Sequence, residues 1–549
     1  MSFFRILLLF IFFFQVQLSQ AQKLKKSDRT TLAHLKEHIE FLADDKLEGR
    51  RAGTPGEEKA RIYIRDQFQT IGLEAKGTDG FFQAFPIYDG KQVNKTSFFF
   101  VNDHELRPEK EFFPLPFSAN ESIEALPAIA LKESGMPWFV NLQEIAEENA
   151  GNPHFDLYSA IGDLAKEVQS KGGSALILYN TKAKEDLSFD PKDKTPMARI
   201  PVIYVMQEAA KKYFSDPSAT LDIKLRTSVG DRMRTGHNVV GYIDNHTTHT
   251  VVLGAHFDHL GYGEDGNSML RTDERLIHNG ADDNASGTAA LIELARMLKG
   301  SKDKNNNYLF LAFSGEELGL FGSKYYVENP TVDLSAVTYM INMDMIGRLN
   351  DSSKTVTVGG FGTSPSWNSV ITTGKKSAFA IHKDSSGTGP SDHTSFYRKD
   401  IPVLFFFTGL HSDYHRPTDD ANRINYEGEV WIIKYIAGVI DELNSQGQKL
   451  AFSKTRETQT STSARFSVSL GIMPDYTYNG TGVRVDGVSD GKAAQKAGMK
   501  TGDVITQLGD MPITSLESYM QALGKFKKGD STRVKFTRGA ETLESAVQF

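Results

Sequence analysis

The sequence contains no cysteine. Disulfide bonds, thiolate zinc sites, iron–sulfur clusters and cysteine nucleophiles are therefore excluded, and any metal must be held by His, Asp and Glu. The sequence also lacks an excess of positive charge, since 62 Lys and Arg stand against 69 Asp and Glu, a formal net charge of −7. Nucleic-acid-binding surfaces are usually basic, so we expect no nucleic-acid partner. A hydrophobic share of 39% excludes a wholly disordered chain, and the length of 549 residues predicts several domains.

Long apolar runs are scarce as well, and the one at the N-terminus is short. Arg5 precedes an apolar run over 6–14, and small residues end at Ala21, which is the pattern of a secretory signal peptide over 1–21. A membrane anchor is the alternative, but a spanning helix needs about 20 apolar residues. We predict a secreted or periplasmic protein with no membrane span after signal cleavage. The lack of cysteine also excludes lipid attachment at a cysteine after the signal.

Two amphipathic helices are predicted near the start of the mature chain. In each of them apolar residues repeat at helical spacing. The residues are Leu32, Leu35, Ile39 and Leu42 in the first helix, and Ala60, Ile64, Phe68 and Ile71 in the second. Gly72 follows the second pattern and predicts its end. The segment 47–56 between them is rich in turn-forming residues and predicts a loop.

Residues 236–445 alternate short apolar runs with helical patterns. Strands are predicted at 250–255, 308–313, 338–343 and 402–407, and helices at 287–298 and 427–443. This alternation predicts an α/β fold with a doubly wound, mostly parallel sheet.

The rest of the chain divides by composition. We predict that the main domain comprises 22–109 and 230–445, interrupted by a small α/β unit at 110–229. A polar stretch at 446–464 predicts a linker, and 465–549 predicts a β-rich module.

Acidic residues and histidines follow the ends of successive predicted strands in the main domain. They are His256, Asp258, Asp282, Asp283, Glu316, Glu317, Asp344 and, in the segment 413–419, His415. Ligands of open α/β sheets bind at this edge. Two cations that share one carboxylate need about five N or O ligands, with positions left for water and substrate. Each residue alone is more often structural, but their joint occurrence favours a metal site.

The motifs around these residues resemble those of the co-catalytic zinc aminopeptidases. The similar segments are 254–258, 280–287, 313–323, 342–347 and 414–415. Glutamate carboxypeptidase II, the transferrin receptor ectodomain and the glutaminyl cyclases are relatives of this family. The motifs occur in the family's order, and the resemblance covers about 30–105 and 230–445. It implies a doubly wound α/β fold.

The resemblance also implies a role for individual residues. Two Zn²⁺ ions per chain are expected, although other divalent ions would suit the same ligands. The implied ligands are His256 and Asp344 for one zinc, Glu317 and His415 for the other, and Asp283 as the bridge. Asp258 would orient the imidazole of His256, and Glu316 would act as the general base. Tyr414 would donate a hydrogen bond to the developing oxyanion, or else bond a local acceptor.

Residues 387–396 resemble a family segment near the substrate pocket. We interpret Asp392 as a substrate-side or supporting carboxylate. His393 is interpreted as a structural hydrogen-bonding residue, and so are His259, His278, His382 and His411. Phe396 and Phe405, with neighbouring aromatic residues, would line an apolar specificity pocket, although consecutive aromatics in a strand are more often core.

The two accessory units have their own resemblances. The unit at 110–229 resembles a protease-associated (PA) domain and would cover the mouth of the site. The last module resembles a PDZ domain, with 469–472 as its carboxylate-binding loop, 491–505 as its most specific segment and a helix at about 516–523 beside the groove. Such a groove captures a C-terminal peptide by strand addition. The alternative is that the module packs on the peptidase and binds nothing.

We therefore predict an exported metallo-aminopeptidase that acts on peptides. One alternative is carboxypeptidase or dipeptidase activity on the same metals, which an arginine-rich pocket facing the metals would favour. Glutaminyl cyclisation is less favoured, because it uses a single zinc. A non-catalytic scaffold that binds peptides through the PDZ module is the alternative from another class, and the presence of Glu316 argues against it.

Overall fold

The fold is taken from a computed structural model of the chain. It describes residues 25–149, 157–181, 185–193, 195–270, 272, 274–372, 378–446, 449–455, 468–474, 481–488, 491–514 and 516–549. The predicted signal peptide at 1–21 and most of the predicted linker at 446–464 lie outside these residues. Within them, no helix is both long enough and apolar enough to span a membrane.

A nine-stranded sheet forms the centre of the main domain. In spatial order its strands are Glu74–Ala75, Val229–Ile243, Asn307–Phe313, Thr250–His256, Val337–Met343, Val403–Phe407, Thr355–Gly359 and Ala380–Lys383, and Phe82–Val93 pairs with Val229–Ile243.

The sheet is parallel at its centre and antiparallel at both flanks. The four strands from Asn307–Phe313 to Val403–Phe407 in this order run parallel. Phe82–Val93 and Val229–Ile243 pair antiparallel, and so do Thr355–Gly359 and Val403–Phe407. The first pairing arises because the chain leaves the sheet for the 110–229 unit and returns beside the strand by which it left. The α/β fold is thus confirmed, with parallel pairing at the centre of the sheet and again between Thr355–Gly359 and Ala380–Lys383.

Helices cover both faces of this sheet. Lys26–Leu42, Pro55–Ile71, Gly287–Gly300 and Tyr426–Gln446 contribute to one core, and Phe321–Glu328 and His393–Tyr397 to the other. Strand residues alternate between the two cores, as Leu253 faces the first and Val252 the second. Both side chains are fully buried, which explains why the strands appear in the sequence as continuous apolar runs.

The two N-terminal helices follow their predicted patterns. Leu35, Ile39 and Leu42 are fully buried, and Leu32 packs at the edge of the same core. The second helix ends at Gly72, whose φ of 85° lies in the left-handed region that glycine adopts without steric cost. A short 3₁₀ segment, Asp45–Arg50, and the turn after it occupy the predicted loop.

The unit around 110–229 contains two four-stranded sheets. One has the order Phe112–Pro114, Val202–Val205, Ala175–Tyr179, Pro137–Asn141, and the other His104–Leu106, Phe98–Val101, Ile223–Arg226, Ser122–Ala125. The helices Leu142–Glu148, Leu157–Ser170 and Gln207–Tyr213 accompany them. Two of these strands precede residue 110, the predicted start of the unit, and the predicted domain boundaries stay predictions.

The C-terminal module is a separate antiparallel sheet with its own core. Its strands are Ile472–Pro474, Val483–Val488, Val504–Leu508, Met511–Pro512, Ser531–Arg538 and Glu541–Gln548, and its helices are Ala493–Lys496 and Leu516–Leu523. Buried residues such as Leu470, Ile505 and Phe536 fill the space between them.

Candidate metal centre

The carboxyl ends of the central parallel strands bring the predicted site residues together. His256 ends the strand Thr250–His256, and Asp344 directly follows the neighbouring strand Val337–Met343. Glu316 and Glu317 follow the strand on the other side, Asn307–Phe313. Because parallel strands end at one edge of a sheet, these side chains meet there.

Asp283 lies between two pairs that each consist of a histidine and a carboxylate. Its Oδ1 is 3.4 Å from His256 Nε2, and its Oδ2 is 3.3 Å from His415 Nε2. His256 Nε2 is also 3.3 Å from Asp344 Oδ1, and His415 Nε2 is 3.2 Å from Glu317 Oε2. The ligand atoms of His256, Asp283 and Asp344 all lie within 4.8 Å of one another. This donor set suits zinc, and the placement of Asp283 fits two ions that share one carboxylate.

His259 belongs to the same cluster, although we predicted only a structural role for it. Its Nδ1 is 2.8 Å from Glu317 Oε1, and it forms a second group of potential ligands with Asp283 and Glu317. The predicted hydrogen bond is therefore present, but its partner is a proposed metal ligand. His259 lies in the loop that follows His256, two residues beyond Phe257. This position was the feature of the sequence that could have indicated its place in the cluster.

The two histidines that flank Asp283, His256 and His415, each have both ring nitrogens close to an oxygen atom. His256 Nδ1 lies 3.2 Å from the backbone carbonyl oxygen of Asp258, and His415 Nδ1 lies 2.9 Å from that of Asn267. Carbonyl oxygens only accept hydrogen bonds, so Nδ1 is the donor in both rings, and Nε2 is directed at the carboxylates. Burial disfavours the charged rings, but the surrounding carboxylates outweigh it and raise the pKa of both histidines well above the usual value.

The two adjacent glutamates differ in their proton affinity. Burial raises the pKa of Glu316 well above its usual range. Burial acts in the same direction on Glu317, but the imidazoles of His415 and His259 outweigh it and hold the pKa of Glu317 well below the usual value. Opposite pKa shifts in neighbouring carboxyl groups suit different roles, here a proton carrier at Glu316 and a metal ligand at Glu317.

Asp258 connects His256 with Glu316. Its Oδ1 accepts a hydrogen bond of 3.1 Å from the backbone N–H of Glu316 and lies 3.7 Å from His256 Nδ1. The shorter contact to His256 comes from the backbone carbonyl of Asp258, so the predicted carboxylate–imidazole contact exceeds hydrogen-bond length.

A cavity of about 140 Å³ opens beside these residues. Glu316, Asp344 and Tyr414 lie among its lining residues, and its apolar part includes Phe405 and Phe407. A cavity of roughly 150 Å³ holds a benzene-sized group, so this one has room for a single side chain. The ring of Tyr414 stacks on that of His415 with 3.9 Å between centroids.

The structure differs from the sequence interpretation in the positions of His393 and Phe396 relative to the aromatic wall of the cavity. His393 stacks on Phe405 at 4.5 Å, and Phe405 stacks on Phe407 at 5.8 Å. His393 is thus a wall residue, and burial lowers its pKa to about 3, which keeps it neutral. Phe396 does not line the cavity, because its ring packs in the core 6.1 Å from that of Phe313.

Asp392 also lies outside the cavity lining. It is fully buried, and burial raises its pKa to about 7. Its neighbour Ser391, which the sequence interpretation missed, donates a hydrogen bond of 2.8 Å to Asp344 Oδ2 and accepts one of 2.8 Å from Asn342 Nδ2. The segment 387–396 therefore holds the proposed ligand Asp344 in place through the hydrogen bond from Ser391.

The loop that carries Asp283 is held by the carboxylate of Asp419, a residue for which we predicted no role. Asp419 Oδ2 accepts hydrogen bonds of 3.0 Å from the backbone N–H groups of both Asp282 and Asp283. Asp282 points away from the bridge, with its Oδ2 3.2 Å from His411 Nε2 and its Oδ1 bonded to the backbone N–H of Gly347. Asp282 therefore faces away from the two histidines that flank Asp283, and the bridging role of Asp283 stays a prediction.

The carbonyl that orients His415 belongs to a loop tied to the 110–229 unit. Asp265, two residues before Asn267, lies 2.7 Å from Arg51 Nε and 2.9 Å from Lys192 Nζ. Lys192 belongs to that unit, so one carboxylate joins it to the segment that supports a proposed ligand.

Comparison with known proteins gives two family matches and several relatives. The model of peptidase family M28 matches residues 238–440, and the PDZ domain model matches 461–549. Aminopeptidase YwaD of Bacillus subtilis is 28% identical over 275 residues, which is 48% of this chain and 55% of the relative. Leupeptin-inactivating enzyme 1 of Streptomyces exfoliatus is 32% identical over 172 residues, 29% of this chain and 37% of the relative. The chain thus spans about half or less of these curated relatives.

One similar solved structure is that of BSAP, a zinc aminopeptidase from Bacillus subtilis. It is 20% identical, and the match covers 78% of this chain and 96% of that chain with a TM-score of 0.43.

Proposed function

Residues 238–440 belong to peptidase family M28, and from this premise we propose that the chain is an exported metallo-aminopeptidase that removes N-terminal residues from peptides with two zinc ions. The position of Asp283, with one oxygen toward His256 and the other toward His415, carries this proposal. Two His–carboxylate pairs around one carboxylate leave room for two ions and open positions for water and substrate.

The protein side chains have separate tasks in the proposed reaction. Zinc, when bound, supplies acidification of water toward neutral pH and polarisation of a carbonyl group. Glu316 lines the cavity, and its raised pKa suits a group that takes a proton from the attacking water and returns it to the leaving amine. Asp258 holds the backbone of Glu316 in place. Tyr414 is proposed to donate a hydrogen bond to the developing oxyanion.

The charge and size of the cavity favour an aminopeptidase over the other enzyme candidates. Carboxylates of Asp283, Glu316, Glu317 and Asp344 line it, and neither Lys nor Arg is among its described lining residues. Two bound zinc ions would offset the charge of the ligands Asp283, Glu317 and Asp344, so the choice between the two activities depends on whether the described lining includes a basic residue. A carboxypeptidase needs a cation to pair with the terminal carboxylate, and the described lining offers no Lys or Arg for it. The volume of about 140 Å³ fits one side chain, here beside an aromatic wall, which supports a preference for apolar N-terminal residues.

The proposal is tested with three matched substrates. Purified protein, loaded with zinc, is assayed on leucyl-p-nitroanilide, N-acetyl-leucyl-p-nitroanilide and a peptide whose N-terminus is blocked but whose C-terminus is free. We expect cleavage of the first substrate alone, abolished by a chelator and restored by zinc. Cleavage of the third substrate would favour the carboxypeptidase alternative, and no metal-dependent cleavage of any would favour a binding scaffold.

We further propose that the C-terminal module binds the C-terminus of a peptide. The strand Ile472–Pro474 ends its sheet, and its single described partner strand is Val483–Val488, so one edge is available for strand addition. Gly471, with φ of 79°, turns the preceding loop toward this edge. A library of peptides with free C-termini should bind in fluorescence anisotropy, and the amidated forms of the same peptides should not.

A further inference from the structure

Arg50 is a fully buried arginine in the loop between the two N-terminal helices, and the proposed reaction does not use it. Its φ of 48° follows φ values of 48° at Glu48 and 68° at Gly49, so three successive residues have φ in the left-handed region. A non-glycine residue in this region is uncommon and persists where its surroundings require it. A Cβ atom on Gly49 would lie 2.6 Å from the carbonyl oxygens of Gly261 and His278, which shows how closely this loop approaches the segments beside the metal centre.

The guanidinium of Arg50 binds the backbone of both loops that carry the proposed ligands. Its Nε donates to the carbonyl oxygen of Phe257 at 2.7 Å, between His256 and Asp258. Its Nη1 donates to the carbonyl of Asn279 at 2.6 Å, and its Nη2 to that of Gly280 at 3.0 Å.

A fourth hydrogen bond anchors this bridge to the N-terminal region. Nη1 also bonds the carbonyl of Leu42, at the end of the first helix. One planar group thus joins the loop after His256 to the loop before Asp283 and fixes both against a helix.

Arg50 is also a buried positive charge without a carboxylate partner. Within the described part of the chain it makes no ion pair, since all its acceptors are neutral carbonyls. Burial lowers its pKa to about 10, against the opposing effect of carboxylates that include Asp258, Asp283 and Glu317, so it stays charged at neutral pH. A fixed cation behind the cluster offsets part of the repulsion among carboxylates that must be ionised to hold metal.

We propose that Arg50 is a positioning residue of the metal centre, which holds the His256 and Asp283 loops at the separation that two bound ions require. The inference rests on the proposed function because it requires the metal centre, but it does not depend on which substrate is cleaved. It predicts that changes at Arg50 weaken metal binding itself, whereas a residue that only stabilises the fold would leave metal affinity unchanged.

The test compares Arg50→Lys and Arg50→Gln with the control Arg61→Lys in the full chain. Lysine keeps the charge and loses the planar fork, whereas glutamine keeps an N–H donor and loses the charge. Arg61 is also largely buried, but it pairs with Glu58 and stacks on Phe82, away from the ligand loops. Zinc affinity and stoichiometry are measured by calorimetry on metal-free protein, and the unfolding midpoint of the metal-free form is measured separately.

We expect both Arg50 variants to bind zinc about 10- to 100-fold more weakly than the wild type, the range found when residues that support metal ligands are replaced. The control should stay within about threefold. Wild-type zinc affinity in the Arg50 variants would overturn the inference, and so would a lowered unfolding midpoint with unchanged affinity. If neither variant folds, Arg50→Met decides, because an unbranched apolar side chain can occupy the buried site while the guanidinium hydrogen bonds and the charge are lost, and it must also weaken zinc binding.

This test is independent of the one for activity. If the wild type binds two zinc ions but cleaves no aminoacyl substrate, the proposed function fails and the role of Arg50 can still be measured. If the wild type is active and Arg50→Lys binds zinc normally, the inference fails and the function stands.

Discussion

Zinc binding to the metal-free protein should release protons, and its affinity should rise with pH. His256 and His415 each direct Nδ1 at a backbone carbonyl and Nε2 at carboxylates. An imidazole must give up the proton on the nitrogen that binds a metal, so each ion displaces one proton from its histidine. The raised pKa of both histidines favours the presence of these protons in the metal-free protein.

The size of the effect follows from this count. One proton released per ion gives a change in affinity of about tenfold for each pH unit below the raised pKa, so each site should bind about tenfold more tightly at pH 7 than at pH 6. Zinc affinity must rise with pH because protons compete with the metal for the histidine nitrogens. Protonation of the carboxylate ligands at lower pH weakens zinc binding in the same way.

Calorimetric titration in buffers of different ionisation enthalpy measures the released protons directly. We expect close to one proton per ion for the wild type at pH 7, and an unchanged number for His393→Phe, because His393 is neutral at that pH. Zinc binding without proton release would show that the two histidines are neutral or are not ligands, and would refute the reasoning.

Three further predictions concern the proposed general base Glu316, the wall of the cavity and the ion pairs of Asp265. Glu316→Gln should keep both metals, as measured by elemental analysis, and lose about 10²- to 10⁴-fold in kcat; an active variant would remove Glu316 as the general base. Phe405→Ala should raise kcat/KM for phenylalanyl relative to leucyl anilide by about tenfold, while Phe396→Leu should leave this ratio unchanged. Burial would raise the pKa of Asp265, but Arg51 and Lys192 hold it well below the usual range, so its contribution is present above pH 4 and lost as the pH falls further. Asp265→Asn should accordingly cost about 1 kcal/mol in urea unfolding from pH 8 to pH 5, and a cost that grew on acidification would contradict this sign.

Those parts of the fold that depend on periodicity could be predicted from the sequence. The central strands are buried on both faces, so they appear as unbroken apolar runs, and the residues after them mark the edge where a ligand binds. The antiparallel flanks could not be predicted in this way, because strand direction depends on where the chain returns after an insertion. The runs are equally apolar in either direction.

The site residues that the sequence did not indicate act through the backbone or through buried faces. Arg50 contacts only carbonyl oxygens, which every residue possesses, so no pattern of side chains points to it. Phe396 and Phe405 lie in apolar segments whose two faces are both buried, and only the packing shows that Phe405 alone faces the cavity. Ser391 was hidden for a third reason, since a serine before an acidic residue is common at helix starts.

The salt bridge between Asp265 and Lys192 has a consequence for attempts to dissect this protein. Excising the 110–229 unit to obtain a minimal peptidase would remove the cation on one side of Asp265 and free the stretch whose Asn267 carbonyl steers His415. A truncated version could then fold around its sheet and yet take up its second ion poorly. A change in its activity would then reflect the loss of the Asp265–Lys192 salt bridge as much as a change in access to the cavity.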